Sequence, residues 1–119
     1  MTVLDKYLHL AGRVPIDQEA LSEVVALFAE EAQVRPVGLQ PVKGKQAIEQ
    51  LFKKFHETYG TIQRVWKTKE TEKGLEAVWA LAGKRRNGEV FAMHGRHIAQ
   101  LNAEGKIANL EVELLTEPS

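Results

Sequence analysis

The feature that most constrains this fold is an alternation of apolar and polar residues that continues, through two turns, from residue 75 to residue 115. Side chains along a strand point alternately to the two faces of a sheet, so this pattern predicts strands with one face in a core. The set expected to face that core on the middle strand is Phe91, Met93, Gly95, His97, Ala99 and Leu101. The sequence therefore predicts three long antiparallel strands, with His97 among apolar neighbours.

The first turn decides whether the apolar faces of these strands agree, because a one-residue slip in pairing moves the whole apolar set to the other face. A three-residue loop that ends in a left-handed Gly88 pairs Trp79 with Gly95. A two-residue turn at Asn87 and Gly88 would instead put Trp79 on the polar face. We therefore predict the three-residue loop.

The second turn gives the same agreement. A four-residue loop over residues 103–106 pairs His97 with Val112 and Ala99 with Leu110. The apolar sides of all three strands then coincide, and Leu110 and Val112 join the face of His97.

Amphipathic helices are predicted before these strands. The first, over residues 2–12, has an apolar stripe at helical spacing, formed by Leu4, Tyr7, Leu8 and Ala11. A break at Pro15 separates it from a second helix, with Asp17 as its N-cap and an apolar face that reaches Phe28.

A short strand over residues 32–37 and a third helix from about Lys45 to Gly60 follow. The stripe of this helix is Ile48, Leu51, Phe52, Phe55 and Tyr59. A further strand over residues 61–72 precedes the three described above. The order of elements predicts an α+β domain, with helices packed on one face of an antiparallel sheet.

The pairing of the strand over residues 61–72 stays open. The turn at residues 73–74 is either a two-residue turn or part of a three-residue one. In the first case Arg64 and Trp66 share the face of Trp79, and in the second they do not.

Composition excludes several classes of function. The 119 residues suffice for one domain, and 16 basic residues balance 16 acidic ones, so no overall field recruits nucleic acid or an anionic membrane. There is no cysteine, and histidines without a shared face predict no metal site. No stretch approaches the roughly 20 apolar residues of a membrane span, and signal-peptide features are missing, so we expect a cytoplasmic protein.

Five segments occur in a specific order and spacing. They are Tyr7 in the first helix, residues 26–32, the Pro36-Val37-Gly38 loop, residues 44–52, and Gly105-Lys106-Ile107. Together they resemble the nuclear transport factor 2-like (NTF2-like) superfamily, and within it ketosteroid isomerases and polyketide-cyclase-like (SnoaL-like) proteins. The resemblance implies a cone-shaped, cystatin-like fold: a curved antiparallel sheet wrapped around three helices, with an apolar pocket entered from one end, commonly as a dimer.

The resemblance also implies site residues. Tyr7 stands where ketosteroid isomerases have a tyrosine that donates to the developing oxyanion. The position of their protonated aspartate carries His97 here, and the position of their general-base aspartate, before Pro36, carries Arg35. Arginine cannot accept a proton at neutral pH, so the resemblance implies the pocket but leaves the isomerase mechanism without its base.

We therefore expect Tyr7, His97 and Arg35 to converge on one cavity and to act there as the catalytic or anchoring groups. Such a site favours a small apolar ligand with a carbonyl or anionic group, bound more tightly as the pH falls through the histidine pKa. The expected lining is Phe55, Trp66, Trp79, Phe91, Met93, Leu110 and Val112.

Two classes of function fit this expectation. One is an isomerase, cyclase or dehydratase that works by proton transfer without a cofactor, and the other is a non-catalytic ligand-binding or partner-binding module. The outer face of the sheet carries Arg96, Ile98, Glu111 and Glu113, which alternate charges around an isolated apolar residue, and this predicts a homodimer contact.

Overall fold

The computed structural model describes residues 1–14 and 17–115. Its helices are α1 (Val3–Arg13), α2 (Gln18–Val25) and α3 (Lys45–Thr58), and its strands are β1 (Phe28–Arg35), β2 (Val42–Lys43), β3 (Tyr59–Thr71), β4 (Gly74–Arg85), β5 (Val90–Leu101) and β6 (Ile107–Leu114). The strands form one curved, unclosed sheet in the order β2-β1-β6-β5-β4-β3. Both α1 and α3 pack against the sheet, and α2 packs against these two helices. The predicted α+β cone is confirmed.

A capping box explains where α1 begins. The side chain of Thr2 accepts a hydrogen bond from the Asp5 amide at 3.1 Å, and the Asp5 carboxylate accepts from the Thr2 amide at 2.9 Å. The predicted apolar stripe of this helix is buried throughout, including Tyr7 and Ala11. The predicted break at Pro15 lies outside the described residues.

The register of the three long strands is confirmed. Trp79 pairs with Gly95, and His97 pairs with Val112. Gly88 has a φ of 94°, the left-handed conformation that the three-residue loop requires. The core-facing set on β5 is buried or half-buried except at the strand's last residue, where the side chain is exposed.

The prediction of an antiparallel sheet is wrong at one position, because β1 runs parallel to its neighbour β6. A parallel pair joins segments that are distant in the chain, so local alternation gives no indication of it. The short strand β2, which pairs antiparallel with β1, was also not predicted. The sheet is therefore mixed.

The second helix ends earlier than the sequence predicts, at Val25, and Phe28 is the first residue of β1 and fully buried. The pairing of β1 with β6 shifts register between Phe28 and Gln33. This irregularity interrupts the alternation of inward and outward side chains in the first half of β1. Phe28 therefore fits the helical spacing of the apolar face predicted for the second helix, which is why the sequence places it there.

The third helix ends at Thr58, and both Tyr59 and Gly60 belong to β3. The backbone pairs Thr71 with Gly74, so the turn into β4 consists of residues 72–73. This turn lies one residue earlier than the two-residue turn at residues 73–74 that the sequence offers. Both turns put the same side chains of β3 on the inner face of the sheet. Arg64 and Trp66 lie on the face of Trp79.

No helix within residues 1–14 and 17–115 is long and apolar enough to cross a membrane. In the same part of the chain, no group of three or more histidine, aspartate or glutamate side chains is placed to hold a metal ion.

Candidate functional site

The candidate site is a cavity of about 300 Å³ between the helices and the inner face of the sheet. Helices α1 and α3 supply one side, and β1, β3, β4, β5 and β6 supply the other. Its apolar wall includes Leu51, Phe52, Phe55, Ile62, Leu81 and Met93. The cavity lies where two apolar clusters meet, one under α1 and one between β3, β4 and β5.

Two glycines keep space for aromatic rings on the wall of the cavity. A Cβ atom on Gly95 would lie 2.8 Å from the ring of Trp79, and one on Gly83 would lie 2.9 Å from the ring of Phe91. Both separations are shorter than real Cβ contacts, and each glycine pairs across β4 and β5 with the ring that it accommodates. These small residues let Trp79 and Phe91 lie against the sheet.

Tyr7 and His97 meet inside the cavity, as predicted. Their ring centroids are 5.4 Å apart, and each residue is at least nine-tenths buried. Burial raises the pKa of Tyr7 to about 12, so its hydroxyl stays protonated. Burial and, to a smaller extent, the charge of Arg64 lower the pKa of His97 to about 3. Both groups are therefore neutral at neutral pH.

The neutral state of His97 corrects one expectation. An affinity that increases as the pH falls requires a histidine that titrates near neutrality. Because its pKa lies far below that range, His97 supplies no such switch in the unliganded protein. Its Nδ1 atom is buried and has no hydrogen-bond partner within the described residues.

The more deeply buried of the positive charges at the site belongs to Arg64 on β3. Its guanidinium carbon lies 5.3 Å from the centroid of the Trp79 ring. The residue as a whole is half-buried, but its Nε and Nη1 atoms are inaccessible to solvent and unpaired in the described part of the chain. Burial lowers the pKa of this guanidinium, yet an arginine remains charged at neutral pH.

The expectation that Arg35 joins Tyr7 and His97 in the cavity is wrong. Arg35 is exposed at the end of β1, whereas its neighbours Val34 and Pro36 line the cavity. Alternation along the strand explains this outcome, because Val34 points inward and the next side chain points to the other face.

Two predicted lining residues also lie elsewhere. Trp66 packs beside the cavity, and its Nε1 atom donates to Asp5 Oδ1 at 2.9 Å, which joins β3 to α1. Leu110 is fully buried in the core under the helices. The other predicted lining residues do line the cavity, namely Phe55, Trp79, Phe91, Met93 and Val112.

Two cationic residues belong to the lining: Lys54, which was not predicted to do so, and Arg64, whose facing the sequence left open. The orientation of Arg64 depends on the turn at residues 72–73, which the sequence leaves open. A further arginine, Arg85, stacks on two aromatic lining residues, with its guanidinium carbon 4.6 Å from the Phe91 ring and 5.4 Å from the Tyr59 ring.

Fold and site together define a class: α+β proteins in which a curved sheet and three helices enclose an apolar cavity with a few polar groups. A solved structure of an NTF2-like protein of unknown function from Exiguobacterium sp. 255-15 is 31% identical, with a TM-score of 0.85 over 95% of this chain and 98% of that chain. The chain belongs to the NTF2-like superfamily.

More distant structures share the fold. A "putative polyketide cyclase" from Xanthomonas campestris pv. campestris is 14% identical, with a TM-score of 0.79 over 92% of this chain and 85% of that one. The epoxide hydrolase/cyclase-like enzyme SalBIII is 18% identical, with a TM-score of 0.77 over 94% and 87%. No protein-family model and no curated protein matches the chain. At these identities the likeness establishes the architecture alone.

Proposed function

We propose that this protein binds a small, largely apolar molecule in the cavity, with an oxygen of that molecule directed at Tyr7, His97 and Arg64. One observation carries the proposal: an apolar lining surrounds buried polar atoms that have no protein partner among the described residues. Ligand pockets combine an apolar wall with a few placed polar groups. Because unpaired buried polar atoms are costly, a ligand that pairs with them is favoured.

A binding titration with two bicyclic probes, 2-naphthoate and its uncharged amide 2-naphthamide, tests this function. We expect at least one probe to bind with one molecule per chain. The variant Met93→Trp adds bulk to the cavity wall and should abolish binding. The matched variant Gln100→Trp adds the same ring at an exposed position on the same strand and should leave binding unchanged.

Two results would contradict the binding function. One is that neither probe binds at about 1 mM, the weak limit of specific recognition. The other is that Met93→Trp and Gln100→Trp bind the probes equally well, because the probe would then lie outside the cavity.

Catalysis by proton transfer on a carbonyl or enolate compound is the second candidate, as in an isomerase, cyclase or dehydratase. The Nδ1 atom of His97 favours it, because this atom has no hydrogen-bond partner among the described residues and a neutral imidazole next to the Tyr7 ring can accept a proton. Against it, a pKa of about 3 makes His97 a weak base, and no carboxylate lines the cavity within residues 1–14 and 17–115. Binding is therefore the better supported function.

A steroid-enone isomerisation assay tests the isomerase form of the second candidate. We expect no rate above that of the buffer. Turnover in the typical range of about 1–10³ per second that is lost in His97→Gln would establish the enzyme instead.

We also propose that the protein forms a homodimer through the outer face of the sheet. Val65 on β3 and Val90 on β5 lie on this face and are 72% and 75% exposed, and Ile98 lies on the same face farther along β5. Arg96 and Glu113 already pair with each other, with Nε 2.6 Å from Oε2, so the valines are the side chains that gain most from a second copy.

A further inference from the structure

Arg64 places a positive charge inside the cavity, and no carboxylate among the described residues forms an ion pair with it. No protein group within residues 1–14 and 17–115 accepts a hydrogen bond from Nε or Nη1 of Arg64, although both atoms are buried. The lining in that part of the chain contains a second cation, Lys54, and no aspartate or glutamate. The unliganded cavity therefore carries a net positive charge.

The ring of Trp79 compensates this charge only in part. The guanidinium carbon lies 5.3 Å from the ring centroid, a separation at which a cation is attracted to the face of the ring. This attraction is smaller than the loss that an ion incurs on leaving water. Arginine cannot relieve the loss by giving up its proton. An anion that accepts hydrogen bonds from the guanidinium would supply the missing compensation.

The other polar groups around the cavity fit an acceptor that carries negative charge. The Nε1 atom of Trp79 can only donate, and it has no acceptor among the described residues. The Tyr7 hydroxyl keeps its proton because burial raises its pKa to about 12. His97 is neutral, with a pKa of about 3, and adds no charge of either sign. Donors thus dominate the polar part of the wall.

We propose that the ligand of this cavity is a monocarboxylate with a planar, apolar body, and that Arg64 binds its carboxylate group. The inference rests on the small-molecule function proposed above and adds the chemical class. A planar guanidinium presents N–H groups that match the two oxygens of a carboxylate. A doubly charged phosphate would bring more negative charge than the one buried guanidinium compensates.

The size of the cavity limits the body of the ligand. Its volume of about 300 Å³ lies at the small end of ligand pockets, and its wall is largely aromatic and aliphatic. A body of roughly two fused rings fits such a space.

Isothermal titration with 2-naphthoate and 2-naphthamide tests the assignment, because these probes share the ring system and differ in charge. We expect 2-naphthoate to bind roughly 10- to 100-fold more tightly, as hydrogen bonds to charged groups imply. Arg64→Met should remove this preference, because it should weaken 2-naphthoate binding far more than 2-naphthamide binding. Arg64→Lys keeps the charge without the fork and should retain part of the preference.

Arg35→Met is the matched control, because it removes an exposed arginine outside the cavity and should leave both affinities unchanged. Equal binding of the two probes by the unmodified protein would overturn the carboxylate assignment while the small-molecule function stands. A preference for 2-naphthoate that persists in Arg64→Met would overturn the role of Arg64. Failure of both probes to bind would instead contradict the function on which the inference rests.

Discussion

Replacement of Arg64 by methionine should make the unliganded protein more stable. The change removes a buried cation whose Nε and Nη1 atoms have no acceptor in the described part of the chain. Methionine keeps an unbranched, flexible stem that can fill the same space against Trp79. The expected sign is unusual, because most substitutions of inward-facing residues destabilise a protein.

The magnitude follows from two opposing contributions. A fully buried ion loses several kcal/mol on leaving water, and because Arg64 is only half-buried, a loss of about 2–4 kcal/mol is the appropriate scale. The contact with Trp79 returns about 0.5–2 kcal/mol. The free energy of unfolding of Arg64→Met should therefore exceed that of the unmodified protein by up to about 3.5 kcal/mol, with about 2 kcal/mol as the central value.

Urea denaturation followed by circular dichroism measures this difference. With a slope of about 1–3 kcal/mol per molar urea, the midpoint should rise by about 1 M. Arg35→Met, an exposed arginine on a strand, should change the free energy of unfolding by less than about 0.5 kcal/mol. A lower midpoint for Arg64→Met would refute the reasoning, since it would mean that the protein itself stabilises this charge.

Three further predictions concern acid stability and assembly. His97→Gln should reduce the loss of folding stability between about pH 6.5 and pH 4. In the native protein the pKa of His97 is lowered from 6.5 to about 3, so the unfolded chain binds the extra proton in that interval. An unchanged slope of the free energy of unfolding against pH across this range would contradict the prediction. Asp5→Asn should lower the free energy of unfolding at neutral pH by about 1.5–3 kcal/mol, because hydrogen bonds from Thr68 and Trp66 lower the pKa of this carboxyl. The difference between the two proteins should shrink as the pH falls below 3.8, the ordinary pKa of the carboxyl. A pH-independent difference would count against the carboxylate's role. In sedimentation equilibrium the protein should be a dimer at tens of micromolar, and Val65→Lys should shift it to monomer by placing a charge in the proposed contact; a monomeric unmodified protein would refute the dimer.

The inner face of the sheet was predictable from the sequence wherever residues close together in the chain determine it. Alternation and turn chemistry in the last three strands give the register that pairs Trp79 with Gly95 and His97 with Val112. The apolar stripe of α1 likewise places Tyr7 in the core. These features depend on residues close in the chain, so a one-residue slip can be recognised and rejected.

The parts that escaped prediction depend on contacts distant in the chain or on a single ambiguous turn. The parallel pairing of β1 with β6 belongs to the first kind. The orientation of Arg64 belongs to the second, because it follows from the turn at residues 72–73. Arg35 was placed in the site through its position in the resemblance, although alternation with Val34 already indicated the opposite face.

A crystal structure of the protein with 2-naphthoate tests the central claim most directly, because it locates the charged end of the ligand. The claim predicts both carboxylate oxygens within hydrogen-bond distance, about 2.7–2.9 Å, of the Arg64 guanidinium, with the rings among the aromatic lining residues. A ligand whose carboxylate lies at Lys54 or in solvent while its rings occupy the cavity would contradict it.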